Sequence, residues 1–305
     1  MKTKSWYAHG KLLITGEYLV LEGAKALAIP LKLGQYLSVK KQKEDRLNWH
    51  AMKPDGLWFQ STIQLLDLDV INTTDENLSA KLKSILHHTR DLNPTFLKGD
   101  QGQIVETILE FDPEYGFGSS STLIANLAKW AGVDAFELQK ITFGGSGYDI
   151  ACASSKTPIL YQLENGMPKV EKVYINFPFA DQLYFVFLGN KQKSIESINT
   201  FKTSSSYSRR DIESVDSITQ NLLYCGDLAA FELLLKEHEL IMSKILKRKP
   251  VQNLLFSDHK GIVKSLGGWG GDFVLMTNHS SREEFEKYLN QKGFDTYYRF
   301  SELVL

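Results

Sequence analysis

The chain has almost no cysteine: two residues in 305, Cys152 and Cys225. Two thiols are too few for a disulfide framework or a cysteine-based zinc site, and a reducing cytoplasm is the compartment that fits them. Net charge is equally scarce, −1 from 35 basic and 36 acidic side chains. Such a chain is not drawn as a whole to nucleic acid or to an anionic membrane, so neither is expected as a partner. No apolar run approaches the roughly 20 residues that span a bilayer, and a soluble protein is expected. The apolar Leu12-Leu13-Ile14 near the N-terminus is broken by Gly16, Glu17 and Glu22, too early for a secretion signal, and reads as a buried strand. The seven histidines have no metal-ligand spacing, and no internal repeat is evident.

What is present is an ordinary globular composition, 43% hydrophobic and 23% charged, on a chain long enough for two domains. Strand-like segments fill the first third: Lys11–Ile14, Tyr18–Leu21, Tyr36–Lys41, Leu47–His50 and Leu57–Ser61. Leu78, Leu82, Ile85 and Leu86 make a helical stripe within Asp75–Arg90, and Gln103–Phe111 reads as a strand. Further strands are expected at 159–163, 170–175, 183–188 and 296–300, with helices at 212–223, 228–247 and 282–292. Runs of strand with interspersed helices, without regular βαβ alternation, predict an α+β fold. A domain change is expected near residue 180, giving domains 1–179 and 180–305.

The richest local signal is Pro113-Glu-Tyr-Gly-Phe-Gly-Ser-Ser-Ser-Thr122. Gly116 and Gly118 allow a sharp turn and close approach of backbone amides to an anion, while Ser119, Ser120 and Ser121 add hydroxyls. Leu123, Ile124, Leu127, Ala128 and Ala131 follow at helical spacing, so a helix should start here with its amides and positive dipole end facing the loop. That is a place for a di- or triphosphate. An ordinary serine N-cap would need one hydroxyl only.

Three further segments carry chemistry: His9-Gly-Lys-Leu-Leu-Ile-Thr-Gly-Glu-Tyr-Leu-Val-Leu-Glu-Gly23, Gly144-Gly-Ser-Gly-Tyr-Asp-Ile-Ala151 and Gly267-Gly-Trp-Gly-Gly-Asp272. Together with the serine loop, their order and character resemble the GHMP kinase superfamily of galactokinase, homoserine kinase, mevalonate kinase and phosphomevalonate kinase. The resemblance runs from residue 9 to about 275. Its patterns are GKxxLxGEYxVL, PxxxGLGSS, GSGxD and GxGGGD. The first and third match closely. The second has Phe117 in place of leucine and Ser121 where a smaller residue is common, the fourth carries the bulky Trp269, and only about 30 residues separate the serine loop from Asp149.

The resemblance implies a two-domain GHMP kinase fold, with an N-terminal ribosomal protein S5 domain 2-like half and a C-terminal ferredoxin-like α/β sandwich. It also implies ATP with Mg2+, and a catalytic pair of Lys11, near the transferred phosphoryl group, and Asp149, beside the acceptor. Phosphoryl transfer spreads negative charge over equatorial oxygens and needs cations and oriented amides more than covalent chemistry. The nucleotide is expected at Gly116, Gly118, Ser119, Ser120 and Ser121 and at Gly268, Gly270 and Gly271. Ser120 and Glu137 are the expected metal contacts, since Mg2+ keeps several waters and takes few protein ligands. The acceptor is expected at Ser146, Gly147, Tyr148 and Lys193. Glu17 is expected to tie down the first hairpin.

The motifs look most like phosphomevalonate kinase. The basic stretch Lys191, Lys193, Lys202, Arg209 and Arg210, interleaved with serine and threonine, would suit a phosphorylated acceptor; a solvated loop and helix start explain the same residues. Mevalonate is the alternative acceptor, and a catalytically silent metabolite- or partner-binding relative is the alternative of a different class. A homodimeric assembly is left open.

Overall fold

Apolar side chains recur along two long segments near the N-terminus, and both form strands: β1 (Lys4–Thr15) and β2 (Ala26–Lys41). The computed structural model describes residues 3–99, 101–189 and 194–305. The remaining strands of the first half are β3 (Arg46–Lys53), β4 (Gly56–Gln64), β5 (Val70–Thr73), β6 (Gln103–Leu109), β7 (Ile159–Glu164) and β8 (Met167–Lys172). Four follow later: β9 (Leu183–Phe187), β10 (Val263–Ser265), β11 (Phe273–Thr277) and β12 (Tyr297–Arg299). The helices are α1 (Glu76–Leu92), α2 (Ser119–Ala131), α3 (Ala135–Thr142), α4 (Tyr148–Ala153) and α5 (Ser194–Ser204). After them come α6 (Arg209–Leu223), α7 (Leu228–Leu246), α8 (Val251–Leu255), α9 (Arg282–Gln291) and α10 (Phe300–Leu303). The mixture is α+β, as expected. No helix among the described residues is long and apolar enough to cross a membrane.

The chain forms two compact units that interleave along the sequence. The first comprises Met1–Gly10, Leu33–Pro113 and Phe117–Ser154. Its strands lie in the order β5-β4-β3-β6-β2. Strands β3 and β6 run parallel, with Leu47 opposite Gln103, and the other pairs are antiparallel. Helices supply the other half of the core. Leu82, Ile85 and Leu86 of α1, Ile124 and Leu127 of α2, Leu138 of α3 and Ile150 of α4 pack with Trp49, Phe59 and Val105 of the sheet. Burying each such side chain contributes about 1.5–3 kcal/mol. Asp75 starts α1 by accepting from the Leu78 amide, and the Ser61 and Ser79 hydroxyls share a buried hydrogen bond of 2.7 Å between β4 and α1.

The second unit comprises Lys11–Lys32, Glu114–Gly116 and Ser155–Leu305. Here the start of β2 pairs with β7, and β7 with β8. A separate antiparallel sheet has the order β10-β11-β9-β12. One core gathers Tyr184, Val186, Phe256, Val274, Phe285 and Leu289, and another Tyr18, Leu19, Phe201, Val215, Met242, Ile245 and Trp269.

The structure departs from the expected elements in several places, of which these bear most on the fold. Tyr18–Leu21 is no strand, because positive φ at Gly16, Tyr18 and Gly23 turns the backbone into a single 3-10 turn over Leu19–Glu22. Strand β2 begins ten residues before Tyr36, passing through Pro30 and Gly34, which interrupt the usual strand signal. Pro30 causes no break because it lies between the segment paired with β7 and the segment paired with β6. Helix α3, capped by Asp134 on the Glu137 amide, was not expected, and the serine-rich segment for which a solvated loop and helix start was one reading is helix α5.

Candidate functional site

In the second unit the opening motif and the late glycine motif meet. Lys11 on β1 donates from Nζ to the Gly116 carbonyl at 2.9 Å. Gly116 has φ +71, and a Cβ there would lie 2.9 Å from the Asp272 carboxyl carbon, so only glycine fits. The Asp272 carboxylate also accepts from the Gly268 amide at 3.3 Å, and a Cβ on Gly267 would come within 3.1 Å of it. Residues 267–272 form the tip of the β10–β11 hairpin, closed at its base by the Leu266 amide on the Phe273 carbonyl. Asp272 is the residue here whose role the sequence did not disclose. Its position closing the glycine run was the available signal.

Trp269 is the bulky departure inside that loop, and the fold absorbs it. With φ +52 the backbone turns left-handed and sends the indole into the core with Tyr18, Phe201 and Met242, where it is 1% exposed. Arg248 donates to its carbonyl at 3.2 Å. Gly270, with φ +99, borders open space. Tyr115 braces the other loop on aromatic rings, 5.0 Å from Phe187 and 5.8 Å from Phe273. Burial and a hydrogen bond with Tyr115 raise the Tyr298 hydroxyl to about 12.

In the first unit the serine loop leads into α2. Phe117, where leucine was expected, is fully buried edge-on to Phe111 and anchors the turn. Gly118 is the N-cap of α2 in the left-handed region, and no side chain caps the helix. A helix start of this kind leaves first-turn amides for an outside anion. Ser119 is partly exposed and Ser120 exposed, while Ser121 is buried and donates its hydroxyl to the Gly118 carbonyl at 2.9 Å. Two bonds to Gln35 lock α2 on β2: Thr122 Oγ1 to its side chain and Asn126 Nδ2 to its carbonyl, both 2.8 Å.

Also in the first unit, Gly144, Gly145 and Gly147 take positive φ and turn the chain into α4, whose first turn holds Tyr148 and Asp149. Ser146 Oγ accepts from the Tyr148 amide at 3.5 Å. Gln139 on α3 is buried, and its Nε2 lies 3.4 Å from Asp149 Oδ2 and 3.3 Å from the Gly144 carbonyl, which orients the carboxylate from behind. Glu137, two residues earlier, is exposed on the same helix. Among the described residues no group of three or more histidine, cysteine, aspartate or glutamate side chains could hold a metal ion. Lys193 and Lys191 lie outside the described residues; Lys202, Arg209 and Arg210 are exposed, and Arg209 pairs with Glu213 at 3.0 Å.

No protein-family model matches the chain, and no curated protein matches it. Solved structures do. The Methanococcus jannaschii mevalonate kinase aligns at 17% identity over 97% of each chain, with a TM-score of 0.73. The Streptococcus pneumoniae phosphomevalonate kinase, solved in complex with phosphomevalonate and AMPPNP, aligns at 15% identity over 98% of this chain and 100% of its own, with a TM-score of 0.70. The Lactococcus lactis galactokinase, complexed with galactose, aligns at 13% identity over 97% and 92%, with a TM-score of 0.69. Shared architecture over nearly the full length, at identities this low, speaks for the fold: the chain has the GHMP kinase fold.

Proposed function

We propose that the protein is an ATP-dependent small-molecule kinase that transfers the γ-phosphoryl group to phosphomevalonate in mevalonate-type isoprenoid synthesis. The observation that carries this reading is the seat of Lys11 on the Gly116 carbonyl beside the Gly267–Asp272 loop. It brings an ammonium and two glycine segments together on a fold that known small-molecule kinases share. ATP fits what the chain offers: an uncapped helix start at Gly118–Ser121, and separately a glycine run, with Gly268, Gly270 and Gly271, in which Gly270 borders open space; Gly116 would join them.

In this reading Lys11 offsets negative charge that builds on the transferred group, and Asp149, oriented by Gln139, aligns the acceptor or takes its proton. Bound Mg2+ would neutralise phosphate oxygens, with the Ser120 hydroxyl as its protein contact and Glu137 as a second candidate. Ser146, Gly147, Tyr148 and Lys193 would hold the acceptor. Residues 1–179 would make up the nucleotide-binding domain and 180–305 the second, in a cytoplasmic protein, as a monomer or homodimer.

Mevalonate is the second reading, favoured by the similarity to the mevalonate kinase fold at a TM-score of 0.73. Chemistry separates the two. A phosphate monoester, with its second pKa about 6, is already a nucleophile at neutral pH, whereas an alcohol depends on a base. The silent alternative loses its steric motive, since the Trp269 indole is buried in the core. The test is ADP release by purified protein with ATP, Mg2+ and each of phosphomevalonate, mevalonate, galactose and homoserine. Turnover confined to phosphomevalonate is expected; turnover with none, despite tight ATP binding, would overturn the enzyme reading.

A further inference from the structure

Beneath the glycine hairpin, the second unit buries a group of charges that the proposed reaction does not use. Lys264 on β10 is 0% exposed, Glu17 1%, and His238 and Glu239 of α7 0% and 3%. Lys264 Nζ lies 2.5 Å from Glu17 Oε1 and 3.8 Å from Glu239 Oε1, and also donates to the Ser265 carbonyl at 2.7 Å. Glu239 accepts from the Ser265 amide at 3.1 Å and from its hydroxyl at 3.3 Å. His238 Nε2 accepts from the Gly16 amide at 3.1 Å, with Glu17 Oε2 at 3.3 Å. Burial, reinforced by Lys264, holds the imidazole well below its ordinary pKa, so it is neutral and able to accept.

The bonds do not fall at random on the backbone. They fix Gly16, the residue that follows β1 and lies five beyond Lys11, and Ser265, two residues before the Gly267–Asp272 loop. Two carboxylates taken out of water around one ammonium are a costly way to hold strands together, and an apolar contact of the same size would hold them at least as well. What the polar arrangement supplies is direction: each bond admits one placement of the turn after β1 against α7 and β10.

We infer that Lys264, clasped by Glu17 and Glu239, is a positioning residue that holds the end of the Lys11 strand and the start of the glycine loop in place relative to one another. The inference rests on the kinase reading for its purpose but not for its test. Two variants leave no lone buried charge: Glu239→Gln, which keeps the Lys264–Glu17 pair, and the triple variant Glu17→Leu/Glu239→Gln/Lys264→Met. Hydrogen exchange is followed by mass spectrometry in peptides covering 266–272 and 273–277, together with ADP titration.

In folded variants, exchange of the 266–272 amides should rise about tenfold or more, with 273–277 unchanged, and ADP affinity should fall by a similar factor. Loop exchange that stays at the wild-type rate in both folded variants, or that rises equally in 273–277, would overturn the positioning role. A wild-type protein that binds no ADP would refute the kinase reading, while the exchange result still decides this one.

Discussion

Replacing Glu239 by glutamine should make the stability of the protein respond differently to pH, and the size of the change follows from its surroundings. Burial raises the carboxyl from its ordinary 4.5 to about 7; nearby Glu17 adds to the rise, and Lys264 with the Ser265 bonds opposes it. A carboxyl with a raised native pKa favours the folded state fully below its unfolded value and loses that advantage as pH climbs through the native value. Between pH 4.5 and about 7 the contribution falls by about 3 kcal/mol. Glu17 is raised as well, and His238 is lowered, so its effect runs the other way, lost as pH falls below 6.5. Subtracting the variant from the wild type leaves Glu239 together with its coupling to Glu17. Urea unfolding at half-unit steps from pH 4.5 to 8 should show the stability of Glu239→Gln, relative to wild type, climbing by about 3 kcal/mol and then levelling. A difference that stays flat across the range would refute the reasoning, because the native carboxyl would then titrate like an unfolded one.

Three further outcomes are expected. Lys11→Met should lower kcat by about 100-fold or more with little change in unfolding midpoint, because a charge aimed at the transferred group is lost while β1 remains paired. Steady-state kinetics with circular dichroism check it. Asp149→Asn should cost an alcohol acceptor far more than a phosphate-monoester acceptor, so the ratio of kcat/KM for mevalonate and phosphomevalonate in the variant reports which chemistry the carboxylate serves. Trp269→Ala should destabilise the protein by about 3–5 kcal/mol by emptying a fully buried site, and thermal unfolding should show it.

The turns in the glycine motifs were readable because a positive φ favours glycine: Gly116 and Gly118 before a helix, Gly147 before Asp149. Helix α1 was readable too, since Leu78, Leu82, Ile85 and Leu86 lie on one stripe. Long-range partners were not. Lys264 follows Ile262 and Val263 in a strand, where a lysine normally snorkels outward; its burial depends on Glu17, 247 residues away. Gln139 carries no charge and so drew no notice, though it is the side chain of α3 that reaches Asp149. Tyr18–Leu21 misled for the opposite reason: its apolar run suits a strand, but the positive φ of Gly16, Tyr18 and Gly23 bends it. The hydroxyl-rich segment Ser194–Ser204 has loop-like composition yet is helical, with Phe201 providing its buried anchor.

A run of glycines is usually the floppiest part of a chain, and clamping it around a visitor costs entropy at the moment of capture. The indole wedged into the hydrophobic interior from the middle of this hairpin changes when that cost falls due. It divides the run into two short spans with fixed ends, so their wandering is surrendered during folding. In the proposed function, an incoming phosphate would meet peptide nitrogens already held in place.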